Sequence, residues 1–510
     1  MTTTSTRATR AGSSIAEPDR RRWVALAVCA TASGAMVLDV SKANLALPSI
    51  EDAIGAGPVG LQLIAAGYIL AFAVSLIPSG WLGDRGYRRP LQLGGLALYA
   101  VSSALAALAP GIDALILWRI VQGIAAGMVM PQNMGIVQSL FTGADRARAF
   151  GYYGVAVSVA IAAGPPIGGL LTSLGGPQDG WRLVFGMNVP LGIALVLLAA
   201  FLVPRTSGPG SGRRLDLLGL LLLSAALVLV LVPIVMTTGR PGDDPWRWLL
   251  LAAALLPAGV LWWWERRLAR QRRDPLLDPL LLRVASFRSG ASIAFFWFAG
   301  TPGVILALTL FLQLRLGLSP AIAGLLTLPA ALASALTSWL SARYVLRHGR
   351  VVTVIGAILA IVGMVLSLAF AVLLPADAAA WAIGASQVVS GLGGGMIISP
   401  NHTMTLAEVP EDRAGAASSI SQLAQRLGNS VGIAAASAVF YGIVFGAVGG
   451  LHGAPAGAYD AALAWSTLLS AAFVAVVIVL ASVDRGRQLR VDRAIASRRE
   501  HQAAGDSGAV

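Results

Sequence analysis

The sequence predicts an all-α polytopic membrane protein: two six-helix bundles related by pseudo-symmetry, with two further transmembrane helices inserted between them. Three observations predict it. The 510-residue chain is 56% hydrophobic and only 12% charged, with a mean hydropathy of +0.75, outside the range of soluble globular proteins. Apolar runs of about 20 residues, the length that lets a helix cross ~30 Å of hydrocarbon, recur fourteen times. The arginines are also sorted by loop: thirty lie in the tails and alternate loops of one side, against Arg182, Arg240, Arg247 and Arg315 on the other. That bias places both termini in the cytoplasm.

The N-tail, residues 1–21, is rich in Ser, Thr and Arg and enters the first apolar run without a small-residue cleavage site, so no cleavable signal peptide is read there. The first bundle, residues 22–205, takes spans near 23–47, 59–82, 91–109, 114–138, 149–173 and 183–203. Its first span contains VLDVSKANLALPSI, in which Asp39 and Lys42 share one face of an otherwise apolar helix. An ionisable side chain there costs roughly 2.5–3.5 kcal/mol on insertion scales and usually marks a polar cavity or proton path. Charge balance that merely lets the helix insert is the alternative. Lys42 is the only lysine beside 36 arginines, and Asp39 the only one of 24 acidic residues placed well inside a span. A retained lysine suggests an amine whose protonation can change, which arginine does not offer, and the pair is expected to titrate as a unit.

Arg119 lies about 9 Å from the outer end of the fourth span at 1.5 Å per residue, a depth comparable to that of Asp39. Alternation of Asp39 between contact with this arginine and a dry pocket is a way to load and release a proton. Bonding of Arg119 to backbone carbonyls is the structural alternative. Asn44, Gln122, Asn401 and Arg426 are candidate cavity-lining residues. For Arg426, about 18 Å into its span, packing against a neighbouring helix explains the residue equally well.

Residues 206–289 hold spans near 217–236 and 247–265, almost free of polar groups and expected to pack peripherally. The arginine-rich cytoplasmic linker ERRLARQRRDPLLDPLLLR follows, read as a topology signal in contact with anionic lipid headgroups. The second bundle, residues 290–484, takes spans near 290–314, 321–342, 351–374, 379–403, 414–446 and 463–483, and residues 485–510 form a cytoplasmic C-tail. SGWLGDR, residues 79–85, aligns with TSWLSAR, residues 337–343, at an offset of 258. Such duplication is common in transporters, whose site lies between the halves.

Several function classes fall away. One cysteine, Cys29, excludes an internal disulfide framework, and four histidines leave little for a metal site, so no metal is expected. GLGGGMIISPN has no preceding strand and no GK[ST], which rejects nucleotide binding. The charge of +13 reports topology, and no nucleic-acid partner is expected. A polytopic membrane enzyme stays a remote alternative, since the longest predicted outer loop, residues 449–462, offers only His452 and Asp460.

GWLGDRGYRRPL, residues 80–91, resembles the signature loop between helices 2 and 3 of the major facilitator superfamily, with Gly80, Leu82, Asp84, Arg85, Arg88 and Arg89 matching. The resemblance implies a conformational latch in which the aspartate caps a neighbouring helix. Tyr87 stands where glycine is usual, with Gly86 one place earlier, and the second copy has Ala342 for the aspartate, implying a weaker latch there. LWRIVQGIAAG, residues 117–127, is similar to the superfamily's helix-4 motif. AAGPPIGGLL, carrying Gly164, Pro165, Gly168 and Gly169, resembles the helix-5 motif of its antiporter branch, although close packing of small residues would also account for it.

LDVSKANLALPSI, WRLVFGMNVPLG, GLSPAIAGLLTLP and VPEDRAGAASSISQLAQRLGNSVG resemble patterns of the fourteen-span drug:proton antiporter family, the first departing at Lys42, where an apolar residue is usual. The resemblance implies a proton-coupled antiporter of the bacterial cytoplasmic (inner) membrane that exports amphipathic or cationic drugs and toxic organic compounds by alternating access. It would be a functional monomer in the lipid bilayer, with a small molecule and protons as its partners and no cofactor beyond the proton gradient. Asp39, Lys42 and Arg119 would couple the proton. A same-fold exporter of one defined metabolite, an amino acid or a self-made antibiotic, is the alternative, slightly favoured by Lys42.

Overall fold

The computed structural model describes residues 19–55, 58–204, 216–235, 245–271, 281–318, 320–410, 413–448 and 454–507. The start of the N-tail, part of the arginine-rich linker and His452 lie outside the described residues. The first half comprises α1 (Asp19–Ile54), α2 (Pro58–Leu82), α3 (Arg88–Ala107), α4 (Ile112–Leu140), α5 (Gly143–Gly186) and α6 (Asn188–Leu202). Helices α7 (Leu217–Val235) and α8 (Leu249–Arg270) follow. The second half comprises α9 (Ala285–Leu314), α10 (Pro320–Leu325), α11 (Leu328–His348), α12 (Arg350–Leu373), α13 (Ala376–Thr405), α14 (Ala414–Val448) and α15 (Ala456–Ser507).

Among the described residues, twelve stretches are long and apolar enough to cross a membrane. One of them, Gly67–Ala107, runs from within α2 through α3, and α7 is a shorter apolar helix, so every predicted span falls on a helix. Helices form here because a backbone in hydrocarbon must satisfy its own hydrogen bonds. Their outward faces are apolar: α12, for example, exposes Ile355, Ile358, Val362 and Val365 at helical spacing. Three boundaries differ from expectation. Helix α5 runs on through residues expected to separate two spans, breaking only where Gly176 adopts a φ of 70°. The span expected near 321–342 is divided between α10 and α11. Helix α15, 52 residues long, continues to Ser507, past the expected tail boundary, because the polar segment after Val483 is rich in helix-forming Arg and Ala and free of proline.

The two halves pack by one rule. Helix α1 lies on α5, α2 on α4, and α3 on α4 and α6; correspondingly α9 lies on α14, α11 on α13, and α12 on α13 and α15. Between halves, α5 packs on α11 and α2 on α14, again an equivalent pair. Glycines set the closest approaches on α4, where a side chain at Gly123 or Gly127 would run into the α2 backbone at Tyr68 or Phe72. Helix α7 packs on α2 and α14 with Leu223, Leu227 and Leu231 buried, and Trp264 Nε1 of α8 donates to the Asp216 carboxylate at 2.9 Å.

Candidate functional site

Five helices converge on one buried ion cluster. Asp39 and Lys42 come from α1 and are fully buried. Arg119 of α4, also buried, donates from Nη1 to Asp39 Oδ2 at 2.6 Å and from Nε to the Ile64 carbonyl of α2 at 3.2 Å. Asn188, the first residue of α6, donates from Nδ2 to Asp39 Oδ1 at 2.6 Å, so both carboxylate oxygens are engaged. Lys42 Nζ stands 3.5 Å from Asp39 Oδ1 and donates at 2.5 Å to Asn188 Oδ1 and to the Val184 carbonyl of α5.

This arrangement revises the expected Asp39–Lys42 pair. The tight partner of Asp39 is the arginine of another helix, while the amine is held mainly by neutral acceptors. One carboxylate therefore balances two cations, and its protonation would remove the only anion in the group. Arg119 has a fallback: Gln122 Oε1 accepts from it at 2.9 Å, and its guanidinium lies 4.5 Å from the Tyr68 ring centroid. Gln122 Nε2 in turn donates to Ser103 Oγ of α3 at 2.7 Å. Gln122 thus orients the arginine, and both readings of Arg119, carboxylate partner and carbonyl donor, describe it at once.

The helix-5 motif packs directly behind this cluster. A Cβ placed at Gly168 would meet Lys42 Cα, Cβ and carbonyl oxygen at 3.0 Å each, and one at Gly164 would overlap Ser41 Cβ. Gly169 faces open space. Gly164 and Gly168, with Pro165 on the same helix, let α5 reach the α1 backbone where Lys42 is mounted. The side chains of Pro165 and Asn44 lie outside the described residues.

At the arginine-rich end, the turn Gly83–Tyr87 joins α2 to α3. Gly86 takes the left-handed conformation at φ 95° and Tyr87 an ordinary one at −90°, so moving the glycine one place earlier preserves the turn. Asp84 accepts from Arg88 Nη2 at 3.0 Å and from the Ala416 backbone N–H at 2.7 Å, capping the start of α14 across the two halves. Arg85 stacks on Trp81, Arg89 donates to the Ala200 carbonyl, and Gly80 is buried on α2. Phe150 of α5 stacks on His402 of α13 near the same end. The second half has its own ion pair, Arg350 Nε to Asp484 Oδ2 at 2.7 Å. Arg350 Nη1 also donates to Asn401 at 2.7 Å, which places Asn401 in that group and away from Asp39.

Losing a helix cap costs ~1 kcal/mol, and this contact between the halves loses its charge with it. Asp84→Asn is therefore expected to speed thiol labelling of a cysteine at Gln138, in a Cys29→Ala background, by roughly three- to tenfold. An unchanged rate would show that Asp84 does not hold this end shut.

Sequence reasoning missed Asn188, Ser103, Tyr68 and the Arg350–Asp484 pair. Asn188 was within reach, being a lone amide at the start of an apolar span inside a quoted motif. Arg350 and Asp484 sit at span ends, where charged residues are ordinary.

A duplicated many-span helical fold with ion pairs buried at the junctions of its helices is that of a membrane transporter. Residues 24–433 match the profile of the Major Facilitator Superfamily, and the chain belongs to that family. It is 31% identical over 439 residues to "Probable actinorhodin transporter" of Streptomyces coelicolor, covering 84% of this chain and 74% of that one. It is 33% identical to "Multidrug efflux pump LfrA" of Mycolicibacterium smegmatis, covering 82% and 81%, and 32% identical to "Puromycin resistance protein pur8" of Streptomyces alboniger, covering 91% of each. Among solved structures, the proton:xylose symporter XylE shares 17% identity with a TM-score of 0.60 over 90% of this chain and 96% of that one. The human organic anion transporter MFSD10 shares 18% with a TM-score of 0.60 over 91% and 99%.

Proposed function

We propose that this chain is a proton-coupled antiporter that exports drugs or other toxic organic compounds across the bacterial cytoplasmic membrane by alternating access. It works as a monomer with both termini in the cytoplasm, and Asp39 is the exchanged proton's carrier. The observation that supports this most is the fully buried Asp39–Arg119 pair at 2.6 Å, seated between helices of one half of a superfamily transporter. A carboxylate there can be neutral or paired but not solvated, so its proton traffic is tied to the helix arrangement around it. Asp84, Arg85, Arg88 and Arg89 latch the inner end, and Gly164 and Gly168 set the α1–α5 approach, in which Gly169 takes no part. Relatives named for drug efflux and antibiotic resistance fit export as the direction. A second reading, export of one self-made antibiotic, draws on two relatives named for single antibiotics.

The test is growth protection in a sensitive bacterial host against a panel of toxic compounds. Protection by the wild type and its loss in Asp39→Asn at equal expression is the expected result. Wild type and empty vector growing alike across the panel would overturn export. Orientation is tested on the two ends of α13: in a Cys29→Ala background, a membrane-impermeant thiol reagent applied outside intact cells should label Asp377→Cys and miss Glu408→Cys. The reverse pattern would invert the topology.

A further inference from the structure

A further cation sits where the halves meet, and among the described residues no carboxylate neutralises it. Arg426 of α14 lies within the bundle with its guanidinium 4.5 Å from the ring centroid of Phe72 on α2. Among the described residues no acidic side chain pairs with it: Asp39 is taken by Arg119, Asn188 and Lys42, and Asp484 by Arg350. Its other electrostatic neighbours are the phenols Tyr68 and Tyr153. Arginine carries five N–H donors, and among the described residues none of those of Arg426 meets a protein acceptor. The side chain is partly accessible, and none of its nitrogens is a fully buried atom without a partner.

Two amides share that face of α14. Gln422 and Asn429, about one turn to either side, each keep a buried carbonyl oxygen without a hydrogen-bond partner. Gln422 Nε2 and Ser418 Oγ reach Met134 Sδ of α4, which fixes this face toward the first half. A lone guanidinium inside a membrane protein is unfavourable unless something compensates it, and a cation–π contact with Phe72 does so only in part. Its flat fork matches a carboxylate or another oxyanion in bidentate fashion. Lys42, by contrast, already has its acceptors.

We propose that Arg426 is an anion-recognising subsite of the transport path, its guanidinium holding the oxyanion while the free carbonyl oxygens of Gln422 and Asn429 accept from a hydroxyl or N–H elsewhere on the same substrate. The substrates it selects are amphipathic organic acids carrying a carboxylate or ionised phenol, in contrast to the cationic compounds expected from the sequence. This deepens the export reading and rests on it for the direction of travel. Binding can be tested without it.

The experiment measures binding of anthraquinone-2-carboxylate and its neutral isostere anthraquinone-2-carboxamide to the purified full-length chain in detergent, by quenching of tryptophan fluorescence. The wild type should bind the acid about tenfold or more tightly than the amide, the effect of one charge-assisted contact. Arg426→Gln should bring that ratio to about one, and Arg426→Lys, which keeps the charge and loses the fork, should leave it in between. Arg315→Gln, at a half-buried ion pair with Asp460 at the opposite end of the second half, should keep the wild-type ratio. A wild-type ratio near one overturns the proposal even if Arg426→Gln fails to fold. So does a ratio that survives Arg426→Gln, or one that falls equally in Arg315→Gln. Selective acid binding by a chain that exports nothing from energised vesicles would leave the subsite standing and overturn the export reading instead.

Discussion

Asp39→Asn is expected to abolish accumulation of a transported compound identified from the growth panel in everted vesicles driven by a proton gradient, while counterflow of that compound down its own gradient persists. Asparagine keeps the shape of the side chain but cannot carry a proton on and off. It also turns a donor toward a site where Lys42, Arg119 and Asn188 already supply donors and only acceptors are wanted. Removing one partner of a buried ion pair costs ~3–5 kcal/mol. Part is recovered because Arg119 retains Gln122, the Ile64 carbonyl and the Tyr68 ring, and Lys42 retains the Val184 carbonyl and Asn188. The variant should therefore insert and bind, with a lowered unfolding temperature, and fail in coupling alone. Undiminished gradient-driven accumulation would remove Asp39 from the proton path.

Gly168→Leu is expected to reduce transport at least tenfold, with Gly169→Ala close to wild type as its internal control. A methyl group at Gly168 would already press on three atoms of Lys42 at 3.0 Å, and α1 backbone cannot rotate away as a flexible side chain can. A leucine must push α5 off α1 or be expelled, and overpacking of this kind costs ~1–3 kcal/mol. Because Val184 and Asn188 follow on the same stretch of chain as Gly168, the shift would also pull acceptors away from Lys42. Gly169 faces no atom within 4 Å, so a methyl group there meets nothing. Equal transport rates for the two variants, or a larger loss in Gly169→Ala, would contradict the packing described here.

Much of this was legible in the residues because a bilayer leaves a chain few options. Span lengths, the arginine bias and the glycine spacings report directly on hydrocarbon thickness and helix approach, and each expected span lies on a helix. Asp39 and Arg119 were legible for the same reason, since charge inside an apolar run is rare. What could not be read was which polar groups meet across helices. Spacing within α1 suggested Lys42 as the partner of Asp39, yet tertiary packing brought Arg119 nearer and put Asn188 between the two. Asn401 looked like a cavity residue and instead bonds Arg350, whose own role depends on Asp484 at a distance of 134 positions along the chain. The length of α15 was hidden because hydropathy marks where a helix leaves the bilayer and is silent about where it ends.

The most direct test of the account is proton release on substrate binding. Purified protein in weakly buffered detergent solution, mixed with a transported compound identified from the growth panel, should release protons that a pH indicator detects in the wild type. Asp39→Asn, binding the same compound, should release none. Equal release from both proteins would place the exchanged proton elsewhere and contradict the role assigned to the Asp39–Arg119 pair.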